Sequence, residues 1–219
     1  MGISQPDGYL AMPEQGNTGQ PVLVLHAWWG LNATLKAFCD RLAAAGFVAF
    51  APDLYHGTVT DQIDEAEALV AALAERADQA RAQLAHAAAF LRALAHSAPE
   101  GLAAVGFSLG AFYALDLSAS DPERVRKVVL FYGTGPADFQ KSQAAYLGHF
   151  AANDPFEPQS SVAALESALR QAGRPVTFYS YPETGHWFFE PDRTDAHNPA
   201  AAALAWERTL AFLQTSSGV

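Results

Sequence analysis

The chain has 219 residues, half of them hydrophobic and 16% charged, with a formal net charge of -10. That balance excludes disorder and supports a sizeable buried core, so one α/β domain spanning residues 1–219 is the expected organisation. The acidic balance excludes nucleic acid and anionic membrane as favoured partners, since both need a positive surface to displace counterions.

The opening Met1-Gly-Ile-Ser-Gln-Pro-Asp-Gly8 has neither the basic cluster nor the apolar stretch of a secretory signal, and Pro6 stands where a myristoylation signal wants Ser or Thr. No later segment is long and apolar enough to span a bilayer, and a cytoplasmic protein is expected. Cys39 is the single cysteine, which rules out an internal disulfide, and its apolar helical surroundings predict an inert core thiol.

Pro21 to His26 is a short apolar, β-branched run that predicts a strand, and Leu31 to Ala45 has helical spacing that stops at Gly46. Phe47 to Ala51 predicts a second buried strand, stopped by Pro52, followed by a turn-rich stretch from Asp53 to Thr60. From Ile63 to Leu94 apolar residues recur every three or four positions, with Asp61 as the expected N-cap; the span is long for one helix, and a break is expected near Arg76-Ala-Asp78. Leu102 to Val105 reads as a strand, Ala111 to Ala119 as helix, Val125 to Tyr132 and Tyr146 to Phe150 as strands, and Ser160 to Ala172 as helix. Pro175 to Tyr181 predicts the last strand and Pro199 to Leu213 the closing helix. Alternating strands and helices predict a mostly parallel central sheet with helices on both faces, whose ligands bind at the carboxyl ends of the strands.

The chemistry is concentrated in Gly106-Phe-Ser-Leu-Gly110, a G-x-S-x-G pentapeptide between a predicted strand and a predicted helix. On such a turn the serine hydroxyl is pushed above the sheet edge, and the flanking glycines remove side chains that would collide there. A serine hydroxyl is a weak nucleophile at neutral pH and needs a histidine to take its proton and an acid to orient the imidazole. In α/β-hydrolases the order along the chain is serine, acid, histidine. Asp154, just past the Tyr146–Phe150 strand, and His186, just past the last strand in Thr184-Gly-His-Trp-Phe188, fit that order with Ser108, and Gly185 is expected to keep the histidine loop tight. Asp138 and Asp192 fit the strand-end position less well; His149 is expected to pack inside a strand, His86 and His96 to lie on helix surfaces, and His197 to cap or rim the last helix.

The tetrahedral intermediate of acyl transfer needs backbone N–H donors, one from Leu109 after the serine and one from the loop His26-Ala-Trp-Trp-Gly30, assigned to Trp28 with Ala27 as its neighbour. Trp28, Trp29, Trp187, Phe107 and Tyr132 are expected to line an apolar pocket for the substrate, against the alternative that some of the tryptophans simply pack under the loop. No metal or organic cofactor is required.

On His26-Ala-Trp-Trp-Gly-Leu-Asn32, Ala51-Pro-Asp-Leu-Tyr55, Gly106-Phe-Ser-Leu-Gly110, Asn153-Asp154 and Gly185-His186, the chain resembles the dienelactone hydrolase family, a compact α/β-hydrolase branch without a large lid domain, over nearly its whole length. The resemblance implies that Ser108 stands in the place of a nucleophile that is cysteine in the dienelactone hydrolases proper. It implies further that Ala27 replaces a glutamate that manages that thiol, and Glu190 an arginine that holds the substrate's carboxylate. A negative Glu190 is expected to disfavour an anionic substrate, with Arg193 nearby as a counterweight. The expectation is a serine hydrolase acting on small carboxylic esters or lactones through an acyl-enzyme; a thioesterase or small peptidase on the same triad, and a non-catalytic binding protein on a hydrolase fold, are the alternatives.

Overall fold

In the computed structural model, which describes residues 3–14, 16, 19–95 and 101–215, the apolar runs become strands and the segments of helical period become helices. Their order is β1 (Gly8–Ala11), β2 (Pro21–Leu25), α1 (Ala33–Ala44), β3 (Val48–Pro52), α2 (Ile63–Ala74), α3 (Ala77–Leu94), β4 (Leu102–Phe107), α4 (Leu109–Ser120), β5 (Val125–Phe131), β6 (Ala145–Ala151), α5 (Gln159–Gln171), β7 (Val176–Tyr181) and α6 (Pro199–Gln214). The strands form one sheet in the order β1-β3-β2-β4-β5-β6-β7. All neighbouring strands run parallel except β1, which lies antiparallel to β3. The mostly parallel sheet and its helices match the expected class; β1 was not expected, because four residues are too few to display a period.

Alternate residues of each strand feed two cores. Leu23 and Leu25 of β2 pack with Leu84 of α3, Ala114 of α4 and Leu165 of α5. Val22 and Val24 pack on the other face with Phe38 of α1 and Leu213 of α6. Strands buried on both faces explain why their sequences are continuous apolar runs with no alternation.

The helix ends follow from local hydrogen bonding. Asn32 caps α1 by accepting from the Leu35 amide at 3.1 Å, so the helix begins two residues later than Leu31. Its last turn closes through Gly46, whose φ of 93° lets the Gly46 and Phe47 amides turn back onto the Ala43 and Leu42 carbonyls. The long 63–94 stretch breaks at Glu75-Arg76, as expected, but Asp61 does not cap α2: the cap position is Gln62, and the Asp61 carboxylate instead accepts from the Gln62 side chain at 2.7 Å. Likewise Asn198, not His197, caps α6, accepting from the Ala201 amide with Pro199 starting the helix.

The chain leaves β2 for β3 on one side and returns to β4 on the other. The crevice beyond the carboxyl ends of β2 and β4 is therefore a switch point of the kind at which α/β sheets bind ligands. Among the described residues no helix is long and apolar enough to cross a membrane.

Candidate active site

Ser108 sits between β4 and α4 with φ 49° and ψ -110°, a conformation that costs a non-glycine residue on the order of 1–3 kcal/mol. The sheet holds it there: its amide donates to the Phe131 carbonyl of β5 at 2.9 Å, and its own carbonyl accepts from Ala111. Both glycines of the pentapeptide are sterically required. A Cβ on Gly106 would lie 2.3 Å from the Gly110 carbonyl oxygen, and one on Gly110 would lie 2.1 Å from that of Leu25.

The structure brings Ser108, His186 and Asp154 together. Ser108 Oγ is 2.9 Å from His186 Nε2, and His186 Nδ1 is 2.7 Å from Asp154 Oδ2. A carboxylate oxygen only accepts, so Nδ1 carries the proton and donates it, leaving the Nε2 lone pair to accept from the serine hydroxyl. Asp154 Oδ1 is occupied separately by the Phe156 and Glu157 amides at 2.9 and 3.0 Å. The His186 and Asp154 side chains are 5% and 1% exposed, so their contact is shielded from competing water. The two loops are joined by Asn153 N–H donating to the Thr184 carbonyl, and Glu157 reaches across to accept from the amide and hydroxyl of Thr134. Gly185 does not impose the loop's tightness as expected: a Cβ there would meet only the Asn153 oxygen, at an ordinary 3.6 Å.

The loop after β2 is pinned beside this cluster. His26 is buried, donates from Nδ1 to the Ala27 carbonyl and accepts the Leu54 amide at Nε2; burial pushes its pKa down, consistent with a neutral ring in that tautomer. Thr60 N–H donates to the Trp29 carbonyl, and Gly110 packs directly against the Leu25 and His26 carbonyls. Among the described residues no backbone acceptor is found for the N–H groups of Leu109, in the first turn of α4, or of Trp28, in the loop after β2. Ala27 is buried.

The expected aromatic pocket divides in two. Trp28 is half-buried, stacks on Trp187 at 5.9 Å and meets Trp29 edge-on at 5.1 Å; Trp29 and Trp187 are themselves buried. Arg193 covers the outer faces of these rings, its Cζ 4.4 Å from the Trp29 centroid and 5.0 Å from that of Trp187. Phe107 and Tyr132 are a correction: neither side chain offers open surface for a ligand. Phe107 stacks on Phe131 at 4.5 Å inside the core, and the Tyr132 phenol donates inward to Glu190 Oε1 at 2.6 Å. Glu190 is also a correction. It is fully buried, and burial raises its carboxyl to about 8, so at neutral pH the neutral form is favoured and no exposed negative charge faces an anion. The sequence reading missed Phe156, which is 49% exposed and lies 5.2 Å from the His186 ring, 4.9 Å from Trp187 and 5.8 Å from Trp28. Its place two residues after the candidate acid, beside a proline, was the available signal.

The remaining expectations concern residues outside the cluster. His149 is buried between Tyr181 and Thr209, hydrogen-bonded at 2.9 and 3.0 Å, and His86 is exposed on α3; His96 lies outside the described residues. Cys39 is fully buried and burial pushes its thiol far above the usual range, which makes it inert. Among the described residues no three His, Cys, Asp or Glu side chains gather as a metal site would require.

The sequence profile of the dienelactone hydrolase family matches residues 7–217. Protein usf of Aquifex pyrophilus is 31% identical over 214 residues, 94% of this chain and 92% of that one. An Aquifex aeolicus protein bearing the name of a carboxymethylenebutenolidase is 31% identical over 215 residues, 95% and 92% of the two chains. A crystal structure from Klebsiella pneumoniae, described as a dienelactone hydrolase, superposes with a TM-score of 0.81 at 26% identity, covering 95% of this chain and 92% of that one.

Proposed function

The chain belongs to the dienelactone hydrolase family, and from that premise we propose that it is a serine hydrolase that cleaves small carboxylic esters or lactones through an acyl-enzyme. The observation that carries this reading is the continuous run of hydrogen bonds from Ser108 through His186 to Asp154.

Ser108 Oγ attacks the acyl carbon while its proton passes to His186 Nε2, and Asp154 holds the imidazole tautomer and stabilises the imidazolium that forms. The Leu109 and Trp28 amides receive the oxyanion, each worth roughly 10²–10³ in turnover. The C–O bond of the leaving alcohol then breaks as His186 returns the proton to it; for a lactone the alcohol remains tethered to the acyl group. Water, deprotonated by the same imidazole, attacks the acyl-enzyme and releases the acid and free Ser108. Trp28 and Phe156 supply the exposed aromatic surface that an apolar substituent of the substrate would meet.

A chromogenic acetyl or butyryl ester assayed with the wild type and with Ser108→Ala tests the reading, together with fluorophosphonate labelling and peptide mapping. Turnover that disappears in the variant and a label confined to Ser108 are expected. Undiminished turnover in Ser108→Ala overturns the assignment.

A further inference from the structure

His186 is hydrogen-bonded at both ring nitrogens and meets three aromatic rings, those of Tyr132, Phe156 and Trp187. Asp154 grips Nδ1, and on another side the Tyr132 ring stands with its centroid 4.9 Å from the imidazole. That ring is itself fixed by the 2.6 Å hydrogen bond from its phenol to Glu190 Oε1. Acyl transfer by a serine, a histidine and an aspartate makes no use of a carboxyl buried here, and burial penalises a polar group whose hydrogen bonds are incomplete. Glu190 Oε2 has no partner among the described residues.

The backbone makes the arrangement specific. Tyr132 leaves β5 with φ 38° and Trp187, immediately after His186, has φ 66°, two conformations that bulky residues avoid. The turn that begins at Trp187 closes with the Glu190 amide donating to the Trp187 carbonyl at 2.9 Å. The Tyr132–Glu190 bond thus joins the end of β5, which is anchored in the sheet, to the segment that carries the imidazole.

We propose that Glu190 is a positioning residue: by holding the Tyr132 ring against His186, it keeps the imidazole within reach of both Ser108 and Asp154. The proposal rests on the serine-hydrolase reading above. Glu190 acts as a neutral acid that accepts the phenol's hydrogen bond. Burial favours that form, Asp192 reinforces it, and Arg193 and the Tyr132 phenol oppose it; Tyr132 in turn is held in its neutral form by burial and by Glu190, Asp192 and Asp154 around it. Glutamine keeps the same acceptor without any charge, whereas alanine removes it.

The test measures kcat and KM on a chromogenic ester for Glu190→Ala, Glu190→Gln, Tyr132→Phe and the Glu190→Ala/Tyr132→Phe double variant, per active site titrated with a fluorophosphonate. Expected are a fall in kcat of about 10- to 100-fold for Glu190→Ala and Tyr132→Phe with KM little changed, as displaced catalytic groups give. Rescue by Glu190→Gln to within a few-fold of wild type is expected too, as is a double variant no worse than the poorer single one. A merely structural role would lower the titratable fraction and leave kcat per site unchanged, and that outcome overturns the proposal, as does a Glu190→Gln variant as impaired as Glu190→Ala. If Glu190→Ala does not fold, Tyr132→Phe decides by the same criterion. An active Ser108→Ala would instead defeat the serine-hydrolase reading itself, so the two failures are distinct.

Discussion

Asp154→Asn puts the proposed chemistry to its sharpest test, because the two oxygens of Asp154 have different duties. Oδ1 accepts the Phe156 and Glu157 amides, and Oδ2 accepts the His186 proton. Asparagine has one oxygen for these three donors. If its NH2 turned toward the two amides, both would lose their acceptor at about 1–3 kcal/mol each, some 2–6 kcal/mol in all. The favoured orientation therefore leaves the oxygen on the amides and sets the NH2 against His186 Nδ1. The imidazole must then accept at Nδ1 and carry its proton on Nε2, where it faces Ser108 Oγ as a donor and is no base. A wrong tautomer of this kind lowers kcat by about 10⁴-fold, or about 5 kcal/mol of barrier. Because the loop's amide bonds survive, the folded state should lose no more than about 1–2 kcal/mol. The assay is kcat on a chromogenic ester beside a denaturant titration of each protein. An Asp154→Asn variant within tenfold of wild type, in a protein whose Ser108→Ala form is dead, would refute the argument that Asp154 sets the tautomer.

The other predictions address packing, pH and substrate. Gly110→Ala should cost about 3 kcal/mol or more by denaturant titration, since its Cβ would meet backbone 2.1 Å away; Gly46→Ala, with open space but φ 93°, should cost only about 1–2 kcal/mol. Burial lowers His149 from 6.5 to about 3, so the stability its neutral form contributes is complete above about pH 6.5 and lost as pH falls through that window; replacing His149 with Gln should flatten the acid limb, whose slope from this group reaches about 1.4 kcal/mol per pH unit. Phe156→Ala should raise KM for aryl esters roughly two- to tenfold, the size of a lost aromatic contact, while leaving kcat and the melting temperature unchanged because the side chain is half exposed.

What could be read from the sequence was what strand ends advertise. Ser108 and Asp154 each follow an apolar run that has to be a buried strand, His186 follows the partly exposed edge strand β7, and a parallel sheet delivers all such ends to one edge, so order along the chain was enough to gather them. Tyr132 and Glu190 stand out in the sequence too, but as pocket wall and as a charge set against an anionic substrate, because nothing in a linear pattern says that residues 58 positions apart share a hydrogen bond. Phe107 was misplaced for a related reason: a residue next to the serine looks like site, yet on a strand adjacent side chains point to opposite faces, and this one points into the core with Phe131. Phe156 escaped notice because its contacts with His186, Trp187 and Trp28 come from loops that only the folded sheet sets side by side.

The sheet also divides the candidate site into a rigid half and a loop-borne half. Beyond the ends of β4 and β5 the ladder continues by one bond each, from Ser108 N–H to the Phe131 carbonyl and from Tyr132 N–H to that of His149, and these bonds hold both residues at positive φ. The serine and the Tyr132 ring are therefore built on backbone that cannot relax without breaking the central strands. His186 and Asp154 lie further from the sheet: a last ladder bond runs from Ala152 N–H to the Tyr181 carbonyl, and beyond it the two residues ride on loops tied to each other by Asn153 and Thr184 and to the loop after β5 through Glu157 and Thr134. Loosening those ties should leave Ser108 in place and displace His186, so on the proposed mechanism a Glu157→Ala variant should lose turnover while the strand packing around Ser108 stays intact. From the rigid half two side chains reach the imidazole, the Ser108 hydroxyl at Nε2 and the Tyr132 ring against its face, and these two fix where the loop-borne ring must sit.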